Sequence, residues 1–508
     1  MKKLEKALVF VFFFFLYSPF LFAQDKGHAA PIRLTILHVN DVHGHILPYT
    51  DKSINEKLPV SGAAYLAKMI EEERALNPDG NLLLSAGDMF QGSPISNLFS
   101  GQPVIEIMNY LQFDGMALGN HEFDWGRETL DKLRSSARFP FLSSNIVDKQ
   151  GNRLEGVKPY ALLTRKNLKI AVIGLTTPET AYGTKPANVS DLTFLDPVKT
   201  LPGIIEEVRS QGANLVVVLS HLGLDEDKKL AQEVSGIDVI VGGHSHTAVI
   251  DPVQVRQTII VQAGSYGLYL GVLNLAFDPS TQRIVDYTKV NELKTVYAGP
   301  ENPFDEKAAG IVAAYNDQIK AEFQRVVGET TVDLVRRPYE ESNIGNLIAD
   351  AMREISKADM AFQNGGGIRA DLPAGKITME EVFTLLPFDN SMVLMDLTGS
   401  QVLLALKQNS STDRKILQIS GLGVQYNPTA PAEAERVMVS VEGKPIDPAK
   451  VYRVVTNDFV AAGGDRFTVF QEGANVVYDD TVRDGFLAYL KKHSPVAPKI
   501  ENRIIFKK

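Results

Sequence analysis

The sequence predicts a layered α/β fold with central sheets, divided between two large domains. From residue 32 to about 296, short apolar runs alternate with amphipathic helical patterns. The runs are unbroken and rich in Leu, Ile and Val, which is typical of strands buried on both faces. A chain of 508 residues exceeds what one hydrophobic core usually supports. Alternation of this kind favours sheets with helices packed on their faces.

Apolar runs and helical patterns place the elements of the first domain. The predicted strands are 34–39, 82–85, 116–118, 170–174, 215–220 and 239–241. Helices are predicted between them, for example at 63–76 and 197–211. The stretch 297–305 interrupts the alternation with Gly and Pro, which favour turns. The first domain is therefore expected to span 32–300.

A linker and a second domain follow. A helix is predicted over about 305–325, because apolar residues recur there at helical spacing. We assign 301–325 to the linker and 326–508 to the second domain. The second domain has a helical pattern at 344–355, a glycine-rich turn at 365–367, and strand-like segments near 437–441 and 451–455.

The first 23 residues have the pattern of a secretory signal peptide. Lys2, Lys3 and Lys6 precede an apolar run at 7–23, and such a charged start before a short apolar region is typical of signals. Cleavage after Ala23 would place the protein in the periplasm or the extracellular medium. The alternative is a retained membrane anchor, since the run is barely long enough to span a bilayer. No second apolar stretch of that length follows, so no stable membrane anchor is expected.

Charge and cysteine content exclude several functions. The formal net charge of −9 argues against nucleic-acid polymers as partners, because these require basic surfaces. The chain contains no cysteine, which excludes disulfides, thiolate chemistry, cysteine-ligated zinc and a lipoprotein anchor. Small anions are permitted as ligands, since a metal ion or a local arginine can bind them. The sequence leaves the oligomeric state unknown.

Five short polar clusters each lie just past an apolar, strand-like run. They are Asp41-Val42-His43, Gly87-Asp88, Gly119-Asn120-His121-Glu122, His221 and Gly243-His244-Ser245-His246. Together they hold five of the nine histidines in the chain. Ligands of layered α/β folds bind where loops leave the carboxyl ends of strands. We therefore expect the clusters to meet in one site.

The residue types in these clusters suit two divalent metal ions. Carboxylate, imidazole and amide ligands fit Zn, Mn or Co. Two such ions about 4 Å apart can clamp a phosphate group and generate hydroxide from water. Asp88 is the best-placed carboxylate to bridge them. The other expected ligands are Asp41, His43 and His246 for one ion, and Asn120, His221 and His244 for the other.

His121 and Asp124 are the candidate catalytic pair. They lie three residues apart directly after Asn120. A histidine oriented by a carboxylate is suited to donate a hydrogen bond to a developing oxyanion or leaving group. We therefore expect His121 to stabilise the transition state and Asp124 to hold its ring. The whole set predicts a two-metal phosphoesterase.

Each cluster alone has a structural explanation. A lone Gly-Asp after a strand is more often a loop residue than a ligand, and an isolated Asp-x-His is seldom a metal site. The ordered set favours a metal centre, because every member follows the end of a strand. His28, His38 and His45 are interpreted as structural or solvated histidines.

The same clusters resemble the calcineurin-like metallophosphoesterases. More narrowly, Asn120-His121-Glu122-Phe123-Asp124 resembles the secreted 5′-nucleotidase family, which includes UDP-sugar hydrolases. Motifs of the second domain are similar to the same family. They are Glu341 to Asn346, Asn364 to Arg369, Leu386-Pro387-Phe388, Asn457-Asp458-Phe459 and Gly463-Gly464-Asp465. The resemblance covers nearly all of the chain that follows the signal segment.

The resemblance implies a four-layered α/β/β/α metallophosphoesterase domain and a smaller α/β domain that binds the nucleoside. It also implies an interdomain helix that lets the second domain rotate. The residues that it assigns to substrate are Arg369 for phosphate, Phe388 and Phe459 on either side of the base, Asn364 and Asn390 for the nucleoside, and Asp465 for the ribose. Without the resemblance, Phe388 and Phe459 would be interpreted as core residues.

The chain departs from this family at one position. A second arginine that binds substrate in the family lies five residues before the asparagine matching Asn343. Here that position is Pro338, with Arg336 and Arg337 just before it. A local shift of the chain would let Arg337 take the role.

Site and resemblance together predict an exported 5′-nucleotidase that releases phosphate from nucleoside 5′-monophosphates. UDP-sugars and nucleoside di- and triphosphates are further candidate substrates. The alternative is a 2′,3′-cyclic-nucleotide 2′-phosphodiesterase with 3′-nucleotidase activity, which would use the same metal chemistry. A nucleotide-binding protein without turnover is a third hypothesis, but it would be expected to lack a ligand or the catalytic histidine, and neither is missing.

Overall fold

The structure is a computed structural model that describes residues 30–51, 54–55, 57–409, 415–430 and 436–507. The predicted signal peptide at 1–23 lies outside the described residues. Across those described ranges, no helix combines the length and the apolar character needed to cross a membrane.

The first half of the chain contains a seven-stranded sheet. Six strands follow one another in space as Arg283–Tyr287, Tyr269–Asp278, Ile32–Val39, Asn81–Ser85, Gly115–Ala117 and Phe141–Leu142, and Leu293–Thr295 also pairs with Tyr269–Asp278. The last four of the six are parallel. Their carboxyl ends therefore lie at one edge, where the loops carrying Asp41, Asp88 and Asn120 begin.

A six-stranded sheet packs against the first. Its order is Val253–Val255, Thr258–Val261, Val239–Gly242, Leu215–His221, Leu168–Thr176 and Tyr160–Arg165. The four strands that follow Val253–Val255 are parallel to one another. His221 ends one of them, and His244 follows the end of its neighbour. A separate pair joins Ile146–Asp148 to Leu192–Phe194.

Alternate residues of the strands belong to different cores, as the period of two in a strand requires. In Ile32–Val39, Leu34 and Ile36 pack between the two sheets, whereas Leu37 and Val39 pack under helices on the outer face. The second sheet alternates likewise between the shared core and a core formed with helices on its far side. The first half is thus layered helix, sheet, sheet, helix, and the expected α/β/β/α architecture is confirmed.

The helices of the first half include both of those predicted. They are Ala63–Leu76, Pro94–Leu98, Gln102–Tyr110, Gly126–Ser136, Thr180–Gly183, Pro197–Ser210 and Leu224–Glu233, with 3-10 turns at His121–Phe123 and Pro186–Asn188. A long helix, Glu306–Phe323, follows. The Asp305 side chain caps it by accepting a hydrogen bond from the Ala308 N–H at 2.8 Å. The helix packs on Ala63–Leu76 and Gln102–Tyr110.

The second half is a smaller α/β unit. Its largest sheet has the order Leu417–Ser420, Met360–Asn364, Val451–Asn457, Ser391–Thr398 and Ala474–Thr481. A second sheet has the order Lys444–Pro445, Val437–Val441, Gly423–Tyr426 and Ile504–Phe506, and Val326–Thr330 pairs with Gly375–Thr378. The helices are Asn343–Ser356, Met379–Leu385, Gly399–Gln408, Asp458–Ala461 and Val482–His493, with 3-10 turns at Gly365–Gly367, Gly464–Arg466 and Thr468–Glu472. Among the described strands, no sheet mixes strands from the two sides of Glu306–Phe323.

His38, which the sequence predicts to be structural or solvated, is a buried structural residue. Its Nε2 lies 2.6 Å from Glu292 Oε1, and neither side chain is exposed. Gly271 on the neighbouring strand makes room for the ring, because a Cβ there would lie 2.1 Å from His38 Nε2. The pair ties the end of the Ile32–Val39 strand to the segment before Leu293–Thr295.

We expect Glu292→Ala to lower the free energy of unfolding by about 3 kcal/mol, because it leaves the His38 ring buried without a partner. Differential scanning calorimetry would measure the loss as a lower melting temperature. The matched control is Glu354→Ala, which removes a carboxylate 2.8 Å from His493 at a part-exposed position. Such pairs contribute little, so equal shifts in the two variants would contradict the expectation.

Candidate active site

The five polar clusters meet at one edge of the two stacked sheets. In each of two sets of three residues, one side-chain atom per residue lies within 4.8 Å of the others. The first ligand group is Asp41, His43 and His246, and the second ligand group is Asp88, His221 and His244. The structure thus brings together the residues in which the sequence predicted metal ligands.

Asp88 lies between the two ligand groups. Its Oδ2 is 3.1 Å from His221 Nε2 and 3.8 Å from His43 Nε2. Its Oδ1 accepts a hydrogen bond from the backbone N–H of His121 at 2.9 Å. One carboxylate therefore faces both groups, which is the position that a bridging ligand needs.

Hydrogen bonds orient the side chains of the first ligand group. His43 Nδ1 lies 2.7 Å from the carbonyl oxygen of Gln91, which can only accept, so Nδ1 carries the proton and Nε2 is left for a metal. This Nε2 is 3.1 Å from His246 Nε2, and His246 Nε2 is 3.4 Å from Asp41 Oδ1. Asn40 Nδ2 donates to Asp41 Oδ2 at 2.7 Å and fixes that carboxylate.

The second ligand group is oriented in the same way. His221 Nδ1 donates to the carbonyl oxygen of Ala86 at 2.7 Å, which leaves its Nε2 facing Asp88. Asn120 Nδ2 donates to the Gly183 carbonyl oxygen at 3.1 Å. The Asn120 amide oxygen therefore points inward, 3.1 Å from His244 Nδ1. Asn120 joins the group as the sequence predicted.

These residues fit divalent metal ions. His221 Nε2 is buried and lies 3.1 Å from Asp88 Oδ2, but without the geometry of a hydrogen bond to any described residue, so a cation would satisfy both atoms. Burial lowers the pKa of His43 well below its usual value and keeps the ring neutral, as a metal ligand must be. Carboxylates, neutral imidazoles and an amide are the ligands that borderline divalent ions prefer.

The electrostatics of Asp88 and His221 are those of a closely paired acid and base. Burial acts against the charged imidazole, but Asp88 outweighs burial and raises the pKa of His221 to about 10. Burial likewise acts to raise the pKa of Asp88, but His221 and His121 hold it well below its usual range. Metal binding here requires His221 to release its proton, because only the neutral ring is a ligand.

The backbone is strained where it carries the ligands. Five ligand residues adopt the left-handed conformation, with φ from 49° to 73°, namely Asp41, His43, Asp88, His244 and His246. Outside glycine such conformations are uncommon and cost about 1–3 kcal/mol each. Gly119 allows the Asp88 carboxylate to lie close to the backbone, because a Cβ at this position would lie 2.2 Å from Asp88 Oδ1. Strain concentrated in this way is typical of functional sites.

Glu122, a member of the third polar cluster to which no role is assigned from the sequence, is a structural partner of the site. Its buried carboxylate accepts hydrogen bonds from the backbone N–H groups of Asp88 at 2.8 Å, Met89 at 2.8 Å and Gly119 at 2.7 Å. Burial and the Asp88 charge raise the pKa of Glu122 to about 7. The residue ties the loop of Asp88 to the loop of Asn120.

His121 and Asp124 form the contact that the sequence predicted. His121 Nδ1 lies 2.6 Å from Asp124 Oδ2. The other carboxylate oxygen of Asp124 accepts a hydrogen bond from Thr184 Oγ1 at 2.6 Å. Burial acts to lower the pKa of His121, but Asp124 and Asp88 raise it above its ordinary value. The imidazole is thus fixed beside the ligand groups and favours its protonated form.

A cleft of about 1350 Å³ joins the two halves of the molecule at this site. From the first half it is lined by His121, Asp124 and residues of both ligand groups. From the second half it is lined by the six residues that the resemblance assigned to substrate, namely Asn364, Arg369, Phe388, Asn390, Phe459 and Asp465.

Phe388 lies directly against the candidate catalytic histidine. The rings of Phe388 and His121 are stacked, with centroids 5.8 Å apart and planes 29° apart. The guanidinium carbon of Arg369 lies 5.9 Å from the centroid of the same phenyl ring. Phe388 and Arg369 of the second half are therefore placed beside His121 of the first half.

Hydrogen bonds hold the polar residues on the other side of the cleft. Asn364 Nδ2 donates to Asp465 Oδ2 at 3.0 Å, and Asn457 Nδ2 donates to Asn364 Oδ1 at 2.8 Å. Gly464 lets the Phe459 ring lie close to the backbone, because a Cβ there would be 2.5 Å from the ring. The Asn364 amide and the Asp465 carboxylate are thus positioned near the Phe459 ring.

The structure does not bring Arg337 to the cleft. Its Nη1 lies 3.5 Å from Glu340 Oε2, and its side chain is 54% exposed. Arg336 is directed elsewhere too, since its Nη1 donates to the carbonyl oxygen of Arg369 at 2.7 Å. The Pro338 carbonyl oxygen accepts a hydrogen bond from the Ile416 N–H at 2.8 Å, which fixes this stretch of chain.

Polar contacts that sequence patterns do not reveal connect the two halves beside the cleft. Arg466 Nη2 donates to Glu179 Oε1 at 3.0 Å, and Glu179 Oε2 lies 3.6 Å from His244 Nε2. Lys185 Nζ donates to Asp458 Oδ2 at 2.8 Å. The partners from the two halves lie 287 and 273 residues apart in the chain, so no local motif links them.

Comparison with known proteins places the chain in a family. The model of the calcineurin-like phosphoesterases matches residues 34–248, and that of the 5′-nucleotidase C-terminal domain matches residues 326–472. The 5′-nucleotidase of Diplobatis ommata is 32% identical over 96% of this chain and 92% of its own length. The trifunctional nucleotide phosphoesterase protein YfkN of Bacillus subtilis is also 32% identical, over 93% of this chain but only 35% of its own length.

A solved structure agrees with these matches. The 5′-nucleotidase precursor from Thermus thermophilus has a TM-score of 0.85 and 36% identity, covering 94% of this chain and 99% of that one. Fold and site define a metal-dependent phosphoester hydrolase of the calcineurin-like class. Within that class, the chain belongs to the 5′-nucleotidase family.

We expect Asp88→Ala to reduce bound divalent metal to at most one ion per chain, because it removes the carboxylate that faces both ligand groups. Mass spectrometry of metals after gel filtration measures the stoichiometry. Asp225→Ala is the matched control, since Asp225 is an exposed carboxylate at the rim of the same cleft. Retention of the full wild-type metal content in Asp88→Ala would rule out the bridging role.

Proposed function

We propose that the protein is an exported 5′-nucleotidase that hydrolyses nucleoside 5′-monophosphates to nucleoside and phosphate. One observation carries the proposal: a single cleft has residues of both ligand groups on one side and Phe388, Phe459 and Asp465 on the other. A phosphate bound at the ligand groups would leave its nucleoside among these residues. UDP-sugars and nucleoside di- and triphosphates are further proposed substrates. Export rests on the signal pattern of residues 1–23.

The proposed domain division is 32–300 for the metallophosphoesterase domain, 301–325 for the linker and 326–508 for the substrate-binding domain. Its support is that the described sheets stay on their own side of the helix Glu306–Phe323. The cleft lies where the two proposed domains face each other.

Two divalent ions, Zn, Mn or Co, are the proposed cofactors. Asp41, His43 and His246 would hold one, Asn120, His221 and His244 would hold the other, and Asp88 would be shared. When bound, such ions supply positive charge for the phosphate oxygens and lower the pKa of a water molecule. Asn120 is a neutral ligand, which limits the negative charge that the substrate phosphate must approach.

His121 is proposed to stabilise the transition state. In the reaction a water oxygen bonds to phosphorus, the bond from phosphorus to the nucleoside O5′ breaks, and O5′ takes a proton. Because Nδ1 of His121 is engaged by Asp124, Nε2 is the nitrogen that can donate to the oxygen on which charge develops. Asp124, held in turn by Thr184, keeps the ring in that orientation.

The nucleoside is proposed to bind between Phe388 and Phe459. Stacking on an aromatic ring contributes about 1–3 kcal/mol per base and tolerates any base. Asn364 and Asn390 would hydrogen-bond to the nucleoside, and the Asp465 carboxylate would accept hydrogen bonds from ribose hydroxyls. Arg369 suits a phosphate oxygen, since its planar group can form two parallel hydrogen bonds.

A substrate panel tests the proposal. Phosphate release is measured with AMP, 3′-AMP, 2′,3′-cyclic AMP and UDP-glucose, using protein of known metal content. Preference for AMP is expected. Turnover confined to the cyclic nucleotide and 3′-AMP would favour the alternative phosphodiesterase, and no release from any 5′-nucleotide would end the proposal.

We expect His121→Ala to lower kcat for AMP about a hundredfold or more while KM and metal content change little, because the lost interaction is made in the transition state. Asp124→Asn should show a smaller loss of kcat, since the imidazole is retained but less well oriented. Steady-state kinetics with metal analysis measures both. A rise in KM with unchanged kcat would point to a binding role instead.

We expect Phe459→Ala to raise KM for AMP about tenfold, because one stacking face is lost. Hydrolysis of a generic aryl phosphate should be spared, since the nucleoside residues are not required for it. Tyr478→Ala is the control, as Tyr478 is an exposed aromatic residue of the same half, away from the cleft. Equal effects on both substrates would refute the stacking role.

A further inference from the structure

A lysine without a sequence signal, Lys415, lines the same cleft. Its neighbour Ile416 is fixed on both sides: the Ile416 N–H donates to the Pro338 carbonyl oxygen at 2.8 Å, and the Ile416 carbonyl oxygen accepts from the Gly365 N–H at 2.8 Å. These two bonds hold the lysine beside the glycine-rich turn Gly365–Gly367. That turn connects Asn364 to Arg369, so Lys415 lies next to residues from the proposed substrate site.

The Lys415 side chain passes over the bare backbone of Gly366. A Cβ on Gly366 would lie 3.5 Å from Lys415 Cδ, 3.6 Å from Asn364 Nδ2 and 3.7 Å from Asp465 Oδ2. The lysine therefore lies in the same part of the cleft as the amide and the carboxylate proposed to bind the nucleoside. The absence of a side chain at Gly366 leaves open space among the three.

Lys415 differs in its pairing from two other cations of the cleft. Lys185 and Arg466 in this cleft are paired with Asp458 and Glu179, but Lys415 forms no ion pair or side-chain hydrogen bond with the residues that the structure describes. Its surroundings act against its charge, since crowding by the cleft walls and the Arg369 guanidinium lower the pKa of Lys415 to about 8. A bound anion would offset both effects.

Contacts give the order of the cations along the cleft. Arg369 lies on the side of the ligand groups, since its guanidinium carbon is 5.9 Å from the Phe388 ring, which stacks on His121. Lys415 lies beside Asn364 and Asp465, around the bare backbone of Gly366. Lys415 is therefore placed on the ribose-binding side of Arg369.

We propose that Lys415 is a specificity residue that binds the second phosphate of a nucleoside diphosphate. With the terminal phosphate at the ligand groups beside Arg369, the inner phosphate would lie between Arg369 and Asp465, where Lys415 is placed. A nucleoside monophosphate has no inner phosphate and gains less from this charge. The inference rests on the proposed function and names the substrates within that class that the cleft favours.

Lys415→Gln tests the proposal, with Lys415→Arg as the variant that keeps the charge. KM is measured for ADP and AMP on metal-loaded protein. Kd is measured by calorimetry for a nucleoside diphosphate analogue with a methylene group between its phosphorus atoms. We expect Lys415→Gln to raise KM for ADP and Kd for the analogue about tenfold, and KM for AMP about twofold or less, because a charge-assisted hydrogen bond is lost. Lys415→Arg should keep KM for ADP and Kd for the analogue close to their wild-type values.

Lys444→Gln is the matched control, because it removes an exposed lysine of the same half outside the cleft. Its ratio of KM for ADP to KM for AMP should equal that of the wild type. Melting temperatures should be unchanged in all variants, since Lys415 makes no ion pair or side-chain hydrogen bond with the described residues.

Two outcomes would overturn the proposal. One is an equal rise in KM for AMP and ADP in Lys415→Gln, and the other is no change in either KM or in Kd for the analogue. A wild-type protein that releases no phosphate from 5′-nucleotides would end the proposed function. A tenfold loss of analogue affinity in Lys415→Gln would still support the assignment of Lys415 in that case, so the two failures are distinguishable.

Discussion

The Asp88 carboxylate is the interaction on which the arrangement of the cleft depends. Through its two oxygens it contacts His221 and His43 and accepts the backbone N–H of His121, so loops from both stacked sheets converge on one buried group. Buried charges are tolerated only when they are paired or bound to cations. The left-handed ligand residues and the three hydrogen bonds to Glu122 fix the loops in a geometry that the chain would not adopt by preference. Cations bound at the ligand groups would compensate this cost.

The sequence predicts the parts of the fold and of the site that depend on local patterns of residues. The strands before Asp41, Asp88, His221 and His244 are rich in Leu, Ile and Val, and parallel packing then brings their ends together. The Phe388 ring contacts His121, and Arg466 contacts Glu179. Both contacts join distant segments of the chain, so the spacing of residues in the sequence does not predict them. Arg337 shows that closeness in sequence to an expected position does not place a side chain in the cleft. It is the nearest arginine in sequence to the expected place, yet the backbone beyond it is fixed by Ile416 and its side chain lies against Glu340.

The two halves contribute opposite charges to the cleft. The first half brings carboxylates and imidazoles at strand ends, and the second brings Arg369 and Lys415 from segments around the glycine-rich turn. A phosphate ester carries negative charge on the reacting group and an apolar base at its far end. Arg369 and Lys415 suit the charged group of such an ester, and the Phe388 and Phe459 rings in the same cleft suit its base. The formal net charge of the whole chain, −9, conceals the excess of cations on the second-half side of the cleft, where Arg369, Lys415 and Arg466 line it together with Asp389 and Asp465.

The ring contact between Phe388 and His121 makes the environment of the imidazole depend on how the two halves are placed. The face of the imidazole is covered by a residue from the other half of the chain. Any separation of the halves would expose that face and withdraw Arg369 together with Phe388, because the guanidinium lies against the same phenyl ring. Shielding of the imidazole and delivery of the arginine are thus linked, because both depend on the same placement of one half against the other.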